Sequence, residues 1–300
     1  MTLKIIPAGE PITVSNINLA IYGPPGTGKT TLANSAERAI NLDFDRGAYR
    51  AGLRVDTVAV TSWNDVVGFT AQDLAAYKTI VVDTAGRALD RLSEDIIAEN
   101  PKAGRGGALS LQGFGTLKVR FAAFLKLLNS LGKDVVLVAH MDEQRNGDDI
   151  IERLDVQGGS KGEIYKSVDA MGRIFVTPTL QRVIDFSPRA NSFGKNPAGF
   201  EIIPIPHPDD NNHFLADLIK DIKAKLNDMS AEQVEAQKVN EDWITALADF
   251  STVEDFNRNL ADIRKASRSV QSKFAKRAKE LGFTYDKQHK VYVMVEVVHA

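Results

Sequence analysis

Residues 23–31 read Gly-Pro-Pro-Gly-Thr-Gly-Lys-Thr-Thr. The glycines at 23, 26 and 28 let the backbone wrap closely around an anion, where a Cβ would collide. Inward-turned N–H groups and the start of a following helix then hold negative charge. Lys29 adds a compact positive charge on a flexible stem, and the Thr30 hydroxyl is a hard oxygen ligand suited to Mg²⁺. These types at this spacing point to ATP bound with Mg²⁺. Gly23, Pro24, Pro25, Gly26, Thr27, Gly28, Lys29, Thr30 and Thr31 form the cradle, Lys29 reaches the β- and γ-phosphates, and Thr30 meets the metal. The segment follows an apolar run and precedes a helix-like one, the context such a loop needs.

A second metal-side group is expected at Asp83, which ends the apolar run Thr79-Ile-Val-Val-Asp83. Hydrolysis also needs a group that orients or deprotonates water. Thr84 follows Asp83, so no glutamate stands next to it, and the base must come from elsewhere. Asp43 and Asp45 close the preceding run, and Asp45 is the expected base because the later strand-end acid points outward. The plainer alternative makes Asp45 a solvated turn residue beside Arg46-Gly47. His140 ends another apolar run and is expected to sense the γ-phosphate, against the plainer role of a satisfied structural histidine.

These residues need a parallel sheet with its carboxyl edge facing the ligand. The first two-thirds of the chain alternate short β-branched runs with helical stretches, predicting an α/β fold with a mostly parallel sheet covered by helices. Strands are expected over 17–22, 39–43, 55–60, 79–83, 134–140, 173–178, 181–186 and 199–205, and helices over 29–39 and 117–131. The glycine-rich stretch 100–115 reads as a mobile loop, and 145–162 as another. Composition changes after Pro208, which divides an ATPase core at 1–208 from a small, mainly helical C-terminal region at 209–300. In that region, helix-like 212–229 is followed by capping boxes at Ser230-Ala-Glu-Gln233 and Ser251-Thr-Val-Glu254. A hairpin of 283–285 and 290–298 ends it.

Hydrophobic residues make up 43% of the chain and charged residues 25%, ordinary for a globular protein. There is no cysteine, which removes disulfides and thiolate chemistry and suits a reducing cytoplasm. Residues 1–15 have no apolar stretch for a signal peptide, and the longest apolar runs are strand-sized, so no membrane span is expected. A net charge of −2 excludes a strongly basic nucleic-acid binder and leaves any DNA contact to a local patch. One such run carries Arg264, Lys265, Arg268, Lys273, Lys276, Arg277 and Lys279, and reads equally as a phosphate grip or a solvated helix face. Nearby Tyr285 and Tyr292 either stack on bases or pack on each other.

Taken in order, these pieces resemble the RecA-like recombinase core, a P-loop NTPase fold, over about residues 15–205. They are the phosphate loop, Leu42-Asp-Phe-Asp45, Ile80-Val-Val-Asp83-Thr84, the glycine-rich segment with its long helix, and His140. The segment Gly158–Ser167 is similar to the second DNA-binding loop of that family, and the resemblance makes Lys161, Tyr165 and Lys166 DNA-binding residues. The segment Gly194–Phe200 is similar to the one that carries an ATP-contacting lysine from a neighbouring subunit, which makes Lys195 that lysine. More narrowly the chain resembles compact phage-encoded ATPases that act with single-strand annealing and recombination systems. The resemblance implies a slow, DNA-dependent ATPase, a homo-oligomer on single-stranded DNA, and a recombination or single-strand-binding protein as partner. It also implies the cytoplasm of a bacterial host or phage-infected cell. Asp45 stands where that family has Glu, His140 where it has Gln, and Pro197 where it has a second lysine.

Other readings share parts of the pattern. The loop wording is also that of AAA+ ATPases, which would place Glu where Thr84 stands. Asp83-Thr-Ala-Gly-Arg87 resembles signal-recognition-type GTPases, but Ala139-His-Met-Asp142 keeps only the acid of a guanine-selecting segment. A nucleotide-gated binding module that recruits a replication or recombination partner without turnover also fits the residues.

Overall fold

The computed structural model describes residues 5–147 and 149–294. The strands are β1 Asn18–Gly23, β2 Ala39–Asp43, β3 Asp56–Ala59, β4 Thr79–Asp83, β5 Gly104–Arg105, β6 Ala108–Leu109 and β7 Asp134–Asn146. They continue as β8 Asp149–Leu154, β9 Ala170–Val176, β10 Arg182–Asp185, β11 Ile203–Pro204, β12 Phe283–Asp286 and β13 Val291–Met294. The helices are α1 Lys29–Asn34, α2 Ala85–Glu99, α3 Leu111–Ser130, α4 Ser160–Ser167, α5 Phe214–Asp249, α6 Val253–Ile263 and α7 Arg268–Glu280.

β2 and β4 are buried at every residue and β1 at all but its first, as strands covered on both faces must be. The sheet runs β11-β10-β9-β1-β7-β4-β2-β3, with β8 paired to β7. All pairings from β9 to β3 are parallel, while β10, β11 and β8 are antiparallel additions. This is the expected α/β architecture. Alternating side chains divide the core into two layers. Tyr22, Leu42, Val82 and Leu137 pack with Leu89, Leu92, Phe121 and Leu125 of α2 and α3. Leu19, Ile21, Val81 and Val138 pack on the opposite face with Leu32 of α1 and Leu215, Leu218, Ile219 and Ile222 of α5.

The chain divides into two compact units, residues 14–226 and the described residues among 1–13 and 227–300. The boundary falls inside α5, beyond the sequence boundary at 208/209, because the first turns of α5 carry the sheet-packing leucines and isoleucines. The smaller unit has its own core around the fully buried Phe256, whose ring meets those of Phe250, Phe274, Phe283 and Tyr292. Among the described residues, no helix is long and apolar enough to cross a membrane.

Several elements differ from the sequence expectation for local reasons. The helix expected over 29–39 stops at Asn34, where the Ser35 hydroxyl donates to Leu32 O (2.7 Å) and accepts from Leu215 N (3.0 Å). The expected loop at 145–162 contains a hairpin instead, because β7 runs past His140 and turns at Gly147 (φ 66°) into β8. Ser160–Ser167 is a helix anchored by the buried Ile164, so the glycine-rich segment expected to be mobile is folded from residue 160 onward. The stretch 100–115 holds a short β5–β6 hairpin and the start of α3, capped by Ser110. Only Ile203–Pro204 remains of the strand expected at 199–205, since the Asn196 side chain closes a turn on the backbone of Phe200. No helix opens at Ser230; α5 runs through it, and the Ser230 hydroxyl accepts from Ile12 N. The capping box at 251–254 sits one residue later, on Thr252 and Asp255. Helix α2, capped by Thr84, adds to the expected elements, and its buried Ala85, Ala88, Leu89, Leu92 and Ile96 recur at helical spacing. Residues 295–298 of the expected last strand lie outside the described residues.

Candidate active site

Strand register brings the candidate residues to one edge. Gly23 pairs with His140, Asp83 with Val138, and Asp43 with Asp83. The phosphate loop leaves β1 at this edge. Gly23 must be glycine, because a Cβ there would lie 2.2 Å from Ile174 O of β9. Gly28 adopts φ 74°, the left-handed region that glycine enters without cost. A cavity of about 420 Å³ opens over the loop, lined among others by Lys29, Thr30, Asp45, Arg50, Asp83 and His140.

Within it, the buried Lys29 donates from Nζ to the carbonyls of Gly23 (3.0 Å) and Pro24 (2.7 Å). Burial pulls the lysine down to about 8, against the opposing pull of Asp83. Thr30 Oγ1 donates to Asp83 Oδ2 at 2.7 Å. Burial raises the Asp83 carboxyl above the usual range, against the lowering effect of the Thr30 hydrogen bond. A phosphate beside Lys29 and a divalent cation beside Asp83 would each favour the charged form that burial disfavours. Thr30 and Asp83 are the pair that would hold Mg²⁺ together with nucleotide phosphates, the arrangement this cation favours over an all-protein cage. No cluster of three or more His, Cys, Asp or Glu that could hold a metal occurs among the described residues.

The two strand-end acids divide their work. Asp43 is buried and accepts the N–H groups of Gly47 (3.0 Å) and Ala48 (2.9 Å), so it shapes the turn. Asp45 faces the cavity and pairs with Arg50 Nη2 (3.0 Å) and Arg87 Nε (3.2 Å). Arg87 also reaches Asp90 at 3.1 Å. His140 lies on the same cavity with its Nδ1 buried and unpartnered. Burial, then the neighbouring Lys29, lowers its pKa, which keeps the ring neutral near pH 7.

The remaining sequence candidates lie elsewhere. Lys195 Nζ donates to Val168 O (2.6 Å), and its backbone bridges Met171, which is in register with Ala20 rather than with the loop end of β1. Lys161, Tyr165 and Lys166 share α4. Tyr165 stacks on Phe193 (4.8 Å between centroids), Lys161 is half-buried, and the exposed Lys166 lies 3.4 Å from Glu163. In the smaller unit, Tyr285 packs edge-on against Tyr292, and its hydroxyl meets Arg264. Arg50 and Arg87 were missed as partners of Asp45. Arg87 was visible in Asp83-Thr-Ala-Gly-Arg87, whereas nothing in the spacing marks Arg50.

A family model described as AAA domain matches residues 15–198. Among solved structures, a KaiC-like protein from the hyperthermophilic archaeon Pyrococcus horikoshii OT3 is similar over 65% of this chain and 91% of its own, at 10% identity and a TM-score of 0.35. Comparison with curated proteins gives no match. The family match spans more than half of the chain and contains the phosphate loop, Asp45, Asp83 and His140. The chain belongs to the AAA-domain family of nucleotide-binding ATPase domains.

Proposed function

We propose that this chain is a DNA-dependent ATPase that binds single-stranded DNA as a homo-oligomer in phage-type homologous recombination and single-strand annealing. The observation that carries the hydrolytic part is the convergence of Lys29, the Thr30–Asp83 pair, Asp45 and His140 on one cavity. Lys29 holds the β- and γ-phosphates, and Thr30 with Asp83 holds the magnesium side. Bound Mg²⁺ neutralises charge on the phosphate oxygens. Asp45 accepts the proton of a water whose oxygen attacks the γ-phosphorus, and the bond to the β–γ bridging oxygen breaks to release ADP. His140, neutral, donates a hydrogen bond to the γ-phosphate.

The DNA part rests on the recombinase-core resemblance and on the basic residues of α4, Lys161 and Lys166. A single-strand-binding or recombination protein is the expected partner. A second reading, a nucleotide-gated module with little turnover, is favoured by the two arginines that hold Asp45. ATP turnover titrated with single-stranded and double-stranded DNA decides between them. Stimulation by single strands supports the first reading, and nucleotide binding without turnover under any condition supports the second.

A further inference from the structure

Arg182 begins β10, on the flank of β1 opposite to β7 and β4. Asp83 and His140 therefore stand on one side of the phosphate-loop strand and Arg182 on the other. Its guanidinium presses on the loop itself: a methyl group on Gly28 would lie 2.3 Å from Arg182 Nη1. The side chain is half-buried, and burial lowers its pKa. It joins none of the ion pairs among the described residues. Among the described residues, the one hydrogen bond of its guanidinium runs from Nη2 to Pro206 O at 3.1 Å, so a neutral carbonyl is its acceptor. The position is fixed from both sides, because Arg182 O accepts from Ile205 N at 2.8 Å and the residue pairs with Val176 of β9. Thr31 of the loop and Pro206 line a small gap beside it.

A guanidinium taken partly out of water without a carboxylate is costly unless an anion completes it. The neighbouring loop is built to bring one. We propose that Arg182 is a nucleotide-binding residue that pairs with the phosphates ATP and ADP have in common, from the β9–β10 side of the loop. The inference rests on the reading of Gly23–Thr31 as the nucleotide cradle. It adds an interaction that the loop pattern does not contain, about 150 residues further along the chain. His140 faces the terminal phosphate, whereas Arg182 contributes equally to substrate and product.

Affinities of wild type, Arg182→Gln and Arg182→Lys for Mg·ATP and Mg·ADP, measured by calorimetry, test this. Removal of a charge-assisted hydrogen bond predicts that Arg182→Gln weakens both nucleotides by about 10- to 100-fold and by the same factor. Arg182→Lys recovers part of the loss, and the melting temperature without nucleotide does not fall. Unchanged affinity with a lowered melting temperature would make the residue structural and overturn the proposal, as would loss confined to ATP. Should the variants fail to fold, wild-type protein answers through phenylglyoxal labelling read by mass spectrometry. ADP protects Arg182 and adenosine does not; equal labelling in all three samples overturns the proposal. Absence of ATP and ADP binding by wild type would instead refute the nucleotide reading on which the inference stands.

Discussion

Arg87 binds Asp45 through Nε at 3.2 Å and Asp90 through Nη1 at 3.1 Å, tying the strand-end acid after β2 to the first turn of α2. With Arg50 on its other oxygen, Asp45 is the cavity acid held by two cations, while Asp43 spends both oxygens on the turn. Asp45→Asn is therefore expected to lower ATP turnover by about 100-fold or more while leaving nucleotide affinity nearly unchanged. Asp43→Asn loses charged acceptors for two N–H groups and is expected to cost about 1.5–3 kcal/mol per bond in thermal or urea unfolding. Arg87→Ala frees Asp45 from one competitor and raises the basal rate. Turnover and unfolding curves of the three variants check the division; a rate loss in Asp43→Asn with full activity in Asp45→Asn would reverse it.

The depressed lysine predicts a pH dependence of binding. Lys29 must be protonated to hold phosphate, and in the free protein it loses its proton around pH 8. Bound phosphate favours the charged form and raises that pKa, so affinity is greatest below pH 8. Above it, affinity falls by up to about tenfold per pH unit until the bound-state pKa is reached, with proton uptake on binding. Calorimetry of ADP binding between pH 7.5 and 9.5 in buffers of different ionisation enthalpy reads both; a flat profile without proton uptake would contradict it.

Lys161 and Lys166 lie on one short helix and are expected to meet a phosphate backbone. The double substitution to alanine should weaken single-stranded DNA binding and reduce the log–log salt slope by ~0.7 for each phosphate no longer neutralised. An unchanged affinity and slope would remove α4 from the DNA site.

Much of the site was legible because its residues cluster in short motifs tied to one sheet edge. Gly23–Thr31 and Thr79–Asp83 carry their strand context with them, and the short β2, buried at every residue, ends in one of the two candidate acids. Encounters set by an irregular turn, or made between distant segments, were not legible. Arg50 meets Asp45 only after the chain turns at Arg46, a non-glycine residue at φ 51°, and Gly28 meets Arg182 across the sheet. The fold of 145–167 was hidden for a related reason. Its glycines suggested looseness, yet Ile164 and the Tyr165–Phe193 stack supply the burial that holds α4 in place.

Lys195 tests whether sites are shared between subunits. Its Nζ is held by Val168 O, alongside the start of β1 rather than its loop end. If it completes a neighbour's site, mixing Lys195→Ala and Lys29→Ala subunits restores part of the activity that each lacks alone. Normal turnover by Lys195→Ala at every protein concentration would show that each subunit handles ATP by itself.

Whether Lys29 and its loop hold ATP for hydrolysis is decided by steady-state phosphate release from Mg·ATP. Wild type and Lys29→Ala are measured side by side, each with and without single-stranded DNA, after circular dichroism shows both folded. Wild type is expected to turn over ATP at a rate that rises with DNA. Lys29→Ala is expected to show no turnover, because it lacks the charge that faces the β- and γ-phosphates. Equal rates in the two folded proteins would refute the role of Lys29 and, with it, the hydrolytic site.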